Sequence, residues 1–150
     1  MNILASGLTS AVVLFLVAGG AQAQSANPCP QLPADSGLAW VHQAGPDFDF
    51  CKAMRADSTQ AFGVFIGEDS PFEPKGNNRA EAGTIEGQRI YWYRGEVAGD
   101  PNVQVRETLV KLGEDRVAHI WMKARNPQEL AREMALAQEL RFSDNRVSGR

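Results

Sequence analysis

The stretch VQVRETLVKLGEDRVAHIWMKARNPQELAREMALAQELRF, Val103 to Phe142, decides the fold. Its first part, Val103 to Leu112, alternates, with Val103, Val105 and Leu109 on one side and Gln104, Arg106 and Thr108 on the other. That is the period of a half-buried strand. Gly113-Glu114-Asp115 reads as a turn, and Arg116 to Ala124 alternates again: Ala118, Ile120 and Met122 against Val117, His119, Trp121 and Lys123. A turn of even residue count pairs the two apolar sets on one face. A helix follows. Asn126 is a good N-cap, Pro127 suits the first helical position and Glu129 completes a capping-box-like start. Leu130, Met134, Ala137 and Leu140 then form an apolar stripe, with Glu133, Gln138 and Arg141 elsewhere around the wheel. The helix is expected to run to about Phe142, its stripe covering Ala118, Ile120 and Met122.

Working outward, Thr84 to Val97 is rich in β-formers, above all Ile90-Tyr91-Trp92-Tyr93, and reads as one strand closed by the turn Ala98 to Asn102. Glu68 to Gly83 holds Pro71, Pro74, Gly76, Asn77 and Asn78 and reads as a loop. At about 15 residues it exceeds ordinary connections, and loops of that length are often functional or mobile. Asp47 to Met54 and Gln60 to Gly67 form a hairpin around the turn Asp57-Ser58-Thr59, with Phe48, Phe50 and Met54 facing away from Asp47 and Asp49. The fold expected is α+β: an antiparallel sheet of about five strands with a C-terminal helix packed on one face. Its divisions are a signal peptide at 1–23, an extended arm at 24–46, one domain at 47–142 and a polar tail at 143–150.

The signal peptide rests on the apolar run Leu8 to Ala18, broken by Gly19-Gly20 and followed by Ala21-Gln22-Ala23. Small residues at −3 and −1 are what signal peptidase reads, so cleavage is expected after Ala23. The run is too short for a transmembrane helix, which needs roughly 20 apolar residues. No Lys or Arg stands between Met1 and Ser10. An uncleaved anchor is therefore the alternative, and the Ala-Gln-Ala site argues against it. In an exported chain the two cysteines, Cys29 and Cys51, are expected to form a disulfide. Closing a loop of about 22 residues stabilises by roughly 3 kcal/mol on the chain-entropy argument. The bond would tie the Pro-rich arm (Pro28, Pro30, Pro33) to the domain. A redox pair usually needs a Cys-x-x-Cys spacing, which is missing.

A net charge of −3, with eleven Arg among fifteen basic residues and no cluster, argues against nucleic acid as a partner. No stretch after residue 23 is apolar enough to span a bilayer, so no stable membrane insertion is expected once the signal is cleaved. Two isolated histidines, His42 and His119, give neither a zinc spacing nor a Ser-His or Cys-His nucleophile. Neither a metal nor a cofactor is implied. Glu86, Glu96 and Glu107 are the candidates for a glycosidase carboxylate pair, although strand-borne Glu is more often a solvated outer face.

Aromatic and cationic residues on the sheet stand out. Tyr91, Trp92, Tyr93 and Arg94 are consecutive, and Arg106, Thr108, His119, Trp121 and Lys123 are expected as neighbours on the face opposite the helix. In one reading Trp121 and an aromatic of the Tyr91–Tyr93 strand are buried beneath the N-terminal arm, with Arg106 covering a ring edge. In the other, Tyr91, Trp92, Tyr93, Arg94, Arg106, His119 and Trp121 form a binding surface, since Trp, Tyr and Arg anchor interfaces. A lone strand histidine such as His119 is either a hydrogen-bonded structural residue or a pH sensor.

Strands ending in a docked helix, in an exported chain of this size, resemble the PsbP/Mog1-like domains. The resemblance covers roughly Phe62 to Phe142 and rests on element order. It implies a non-catalytic binding or assembly-assisting role, although families with this fold usually carry further helices that this sequence lacks. Three functions are thus expected in order: a periplasmic binding or inhibitory module acting on a protein or envelope component, an assembly accessory of an envelope complex, and a small glycan-active hydrolase.

Overall fold

The computed structural model describes residues 27–142, so the expected signal peptide, its expected cleavage after Ala23 and the expected tail at 143–150 all lie outside the described residues. One antiparallel sheet carries seven strands in the order β1-β2-β3-β7-β6-β5-β4. They are β1 (Ala39–Ala44), β2 (Phe48–Met54), β3 (Gln60–Gly67), β4 (Arg79–Ile85), β5 (Gln88–Gly95), β6 (Gln104–Lys111) and β7 (Val117–Ala124). A single α-helix among the described residues, α1 (Pro127–Gln138), packs on one face, chiefly against β7, and a short 3-10 turn at Gly76–Asn78 precedes β4. No helix of the described residues is long and apolar enough to cross a membrane.

The sheet thus holds seven strands where the sequence pointed to about five. β1 arises inside the segment read as an arm, folding back on β2 through Pro46-Asp47, with the Gly45 N–H donating to the Phe48 carbonyl at 2.8 Å. β4 takes Arg79–Gly83 from the segment read as a loop and Thr84–Ile85 from the stretch read as one strand. Glu86 and Gly87, both at positive φ (47° and 78°), make the tight hairpin turn to β5. Paired left-handed residues match the twist of the flanking strands. At the β2–β3 turn Ser58 has φ 66°, and the Asp57 carboxylate accepts from the Thr59 N–H (3.0 Å) and hydroxyl (2.6 Å).

The two meanders join through the β3–β7 pairing, so residues 68–78 must carry the chain from mid-sheet to the far edge. That crossing spans four strand spacings, about 19 Å. The length of the loop is set by this span.

The buried core lies between the sheet and α1. Phe62, Val64, Ile66, Ala118, Ile120, Met122 and Trp92 meet Leu130, Met134, Ala137, Leu140 and Phe142, so the helix stripe covers Ala118, Ile120 and Met122 as its spacing indicated. The helix stops at Gln138, short of Phe142, but Leu140 and Phe142 stay fully buried beyond it. Asn126 Oδ1 accepts the Glu129 N–H at 2.8 Å. Glu133 departs from its expected outer position. It is 1 % exposed and is held by the Arg55 guanidinium, which also reaches Glu129 at 3.4 Å. The Arg125 backbone N–H (3.0 Å), aided by its guanidinium, holds the Glu129 carboxyl below the ordinary glutamate range against the opposing effect of burial.

Cys29 and Cys51 form the expected disulfide, Cα–Cα 5.8 Å. Cys51 pairs with Val64 and Val64 with Ile120, so the bond lies on the helix face. The arm follows it there. Trp40 Nε1 donates to the Pro30 carbonyl at 2.6 Å, and Gln31 bridges Arg141 just past the helix.

Candidate functional site: the aromatic face of the sheet

With α1 and the arm both on one side, the other side of the sheet has only residues 68–78 above it among the described residues. Directly paired neighbours define its central row: Val41, Lys52, Gly63, Trp121, Glu107, Tyr93 and Arg79, one from each strand. The adjoining row carries Gln43, Phe50, Phe65, His119 and Leu109. Strand alternation places Phe48 and Tyr91 on the same face.

The rings of this face touch one another in series. Phe50 stacks on Trp121 (5.0 Å between centroids, 20°), and Trp121 tilts against His119 at 5.5 Å. Phe72, from the crossing loop, stacks on His119 (5.1 Å, 14°) and meets Tyr93 edge-on at 5.8 Å. Phe48 and Phe65 form a further stack at 5.0 Å. Each stacked or edge-on pair contributes about 0.5–1.5 kcal/mol beyond its burial. Phe50, Phe65, Phe72, Tyr91, Tyr93 and Trp121 all remain half-exposed, so the layer is neither core nor loose surface.

Cations border the rings. Lys52 Nζ is 5.3 Å from the Phe50 centroid, while Arg79 and Arg89 lie 4.1 and 5.5 Å from that of Tyr91. At the centre, His119 Nε2 and Glu107 Oε1 are 3.0 Å apart, and His119 Nδ1 is buried with no hydrogen-bond partner. The two residues form the floor of a shallow recess of about 660 Å³ walled by Ser70, Pro71, Phe72, Glu73 and Lys75.

The structure divides the residues singled out in the sequence. Tyr91, Tyr93, His119 and Trp121 share the open face. Trp92, Arg94 and Arg106 do not, and neither does Thr108. Trp92 is fully buried on the helix face. Arg94 lies opposite Arg106 and donates to the Arg79 carbonyl at 3.2 Å. Arg106 pairs with Met122 beneath the helix face and grips Glu81 with two bonds of 2.8 Å, which hold the Glu81 carboxyl below the usual carboxylate range. Thr108 pairs with Ile120 and donates to the Tyr91 carbonyl at 2.7 Å.

The physical reason is the β6–β7 turn. The Leu112 N–H bonds the Arg116 carbonyl, enclosing three residues and not an even number, so Val105 and Leu109 face Lys123 and His119.

Phe48, Phe50, Phe65 and Phe72 were not among the expected site residues. Phe48 and Phe50 carried a signal, the alternation of β2, but nothing in it showed which face was open. Phe72 had none, because its role depends on where the loop crosses. The arm does not roof Trp121; it lies on the opposite side of the sheet. The candidate glycosidase carboxylates are separated as well: the Glu86 side chain accepts the Phe142 N–H (2.8 Å) on the helix side, whereas Glu107 lies on the open face and Glu96 is exposed beyond β5. No group of three or more metal-ligating side chains converges among the described residues. Comparisons with protein-family models, with curated proteins and with solved structures returned no match to this chain.

Proposed function

We propose that this chain is an exported, non-catalytic binding module that docks a partner protein of the cell envelope on its open aromatic face. The observation that carries the reading is the ring series Phe50–Trp121–His119–Phe72–Tyr93 on a sheet face that, among the described residues, only the crossing segment 68–78 overlies. Half-exposed aromatic side chains bordered by cations are the usual anchors of protein interfaces. Glycan stacking is favoured less, because sugar rings need open ring faces. Here the Trp121 indole lies over Gly63 and is stacked by Phe50, and the Tyr91 ring carries Arg79. The partner proposed is an envelope-acting enzyme held one-to-one.

The test is capture of cross-linked partners from native envelope extract. Trp121→Ala and Tyr93→Ala should each lose the partner that the unsubstituted chain retains, while Arg132→Ala, an exposed change on α1, should keep it. Equal capture by all variants, each folded by circular dichroism, would sink the proposal. Co-purification with a large assembly in place of a single enzyme would transfer the module to an accessory role.

A further inference from the structure

The two edges of the sheet are finished differently. β4 is closed in several ways that natural sheets use against edge pairing. It carries Arg79 and Glu81, its register shifts between Arg79 and Ala82, its Thr84 N–H is taken by Gln138 Oε1 (3.3 Å), and its Arg79 carbonyl by Arg94. β1, Ala-Trp-Val-His-Gln-Ala, has no Lys, Arg, Asp, Glu or Pro and no register shift against β2. Five of its six residues are exposed, and Val41, at 53 %, is the most exposed large apolar residue of the described chain.

The register says which backbone groups are free. Gly45 bonds inward to Phe48, and antiparallel alternation from that pair turns the N–H and C=O of Trp40, His42 and Ala44 away from β2. No side chain or backbone group of the described residues bonds them.

We propose that β1 pairs antiparallel with β1 of a second copy of this chain, about a two-fold axis between the two His42 residues. This inference is independent of the aromatic-face reading. Centred there, Trp40 lies opposite Ala44 of the second copy, His42 opposite His42 and Ala44 opposite Trp40, with six backbone hydrogen bonds between them. The strand suits itself. Large faces small at both ends, Val41 faces Gln43 on the other side, and a strand without Lys, Arg, Asp or Glu sets no fixed charge against its copy. Each His42 at the axis keeps its own Asp49 at 2.9 Å. A two-fold axis of this kind stands perpendicular to the sheet. Both aromatic faces therefore point the same way, and the pair would present two docking surfaces side by side.

Analytical ultracentrifugation of the purified mature chain over a wide concentration range tests this. A concentration-dependent dimer is expected. Ala44→Pro removes an outward N–H only, a change that edge strands tolerate, and should weaken the dimer at least tenfold while leaving the melting temperature unchanged at concentrations where both chains are monomeric. A second pair of variants keeps the test decisive if the proline disturbs β1. Val41→Lys with Gln43→Lys, and Val41→Glu with Gln43→Glu, should each be monomeric alone and should associate when mixed, because residues 41 and 43 oppose each other only in this antiparallel register. A wild-type chain that stays monomeric throughout overturns the proposal and leaves the edge to an extended segment of another protein. Folded charge variants that fail to associate on mixing overturn it as well.

Discussion

The six-membered ring of Trp121 lies over Gly63, in the space that a Cβ on residue 63 would occupy. The two are direct cross-strand partners on β7 and β3. The indole reaches across the sheet toward β2, where Phe50 stacks on it, only because residue 63 has no side chain. Gly63→Ala should displace the ring and cost about 1–3 kcal/mol, the usual penalty of forcing a methyl into packed space. Urea unfolding followed by tryptophan fluorescence and near-ultraviolet circular dichroism reads both effects. An unchanged midpoint with an unchanged aromatic signal would contradict the packing described.

Phe72 anchors the crossing loop to the sheet through His119 and Tyr93. Phe72→Ala should release the loop without unfolding the core. Amide exchange in residues 68–78 is expected to accelerate at least tenfold, while β7 and α1 exchange as before and global stability falls by less than about 2 kcal/mol. Hydrogen-exchange mass spectrometry separates the two regions.

The Cys29–Cys51 bond closes a loop with a sequence separation of 22. Replacing both cysteines with serine should lower stability by about 3 kcal/mol, chiefly by freeing the unfolded chain. The comparison is made by guanidinium unfolding with slopes fitted separately. A midpoint within error of the oxidised protein would show that the arm is held without it, by the Trp40 bond to Pro30 and the bridge to Arg141.

Acid should weaken the start of α1. The Glu129 carboxyl is held below the glutamate range by Arg125, so its stabilising contribution is complete above the unfolded value and disappears as pH falls through the lower folded one. Glu129→Gln should therefore destabilise at neutral pH, and its deficit against the unsubstituted protein should close as pH drops below about 4. Thermal melts of both chains across that range give the answer; a deficit independent of pH would assign the loss to packing.

The helix was the most legible element in the sequence, because cap, proline and stripe all agree and each acts locally. β2, β3, β6 and β7 were legible too, as was the disulfide. β1 was obscured by its surroundings of Pro, Gly and Asp, since an edge strand buries little and shows no alternation. β4 was obscured because Arg79, Glu81 and Thr84 leave it polar, and the left-handed Glu86 gives no compositional sign of a turn. The face of β6 was misread for a reason of counting: a three-residue loop reverses which side meets α1. Arg106 and Thr108 stand on the covered side only because Glu81 and the Tyr91 carbonyl satisfy them. Those partners come from β4 and β5, and no local pattern discloses them. The open site was legible in Tyr91, Tyr93, His119 and Trp121 and not in Phe72, which reaches it by way of topology.

The bridge between Gln31 and Arg141 brings the two ends of the described chain alongside each other on the helix side. Residues 31 and 141 therefore stand together on the side away from Trp121. A label or bead coupled at position 31 or 141 would hold the molecule by its back, with the aromatic surface directed outward. Coupling at either of these two positions gives the same presentation, so the choice between them is free in a capture assay.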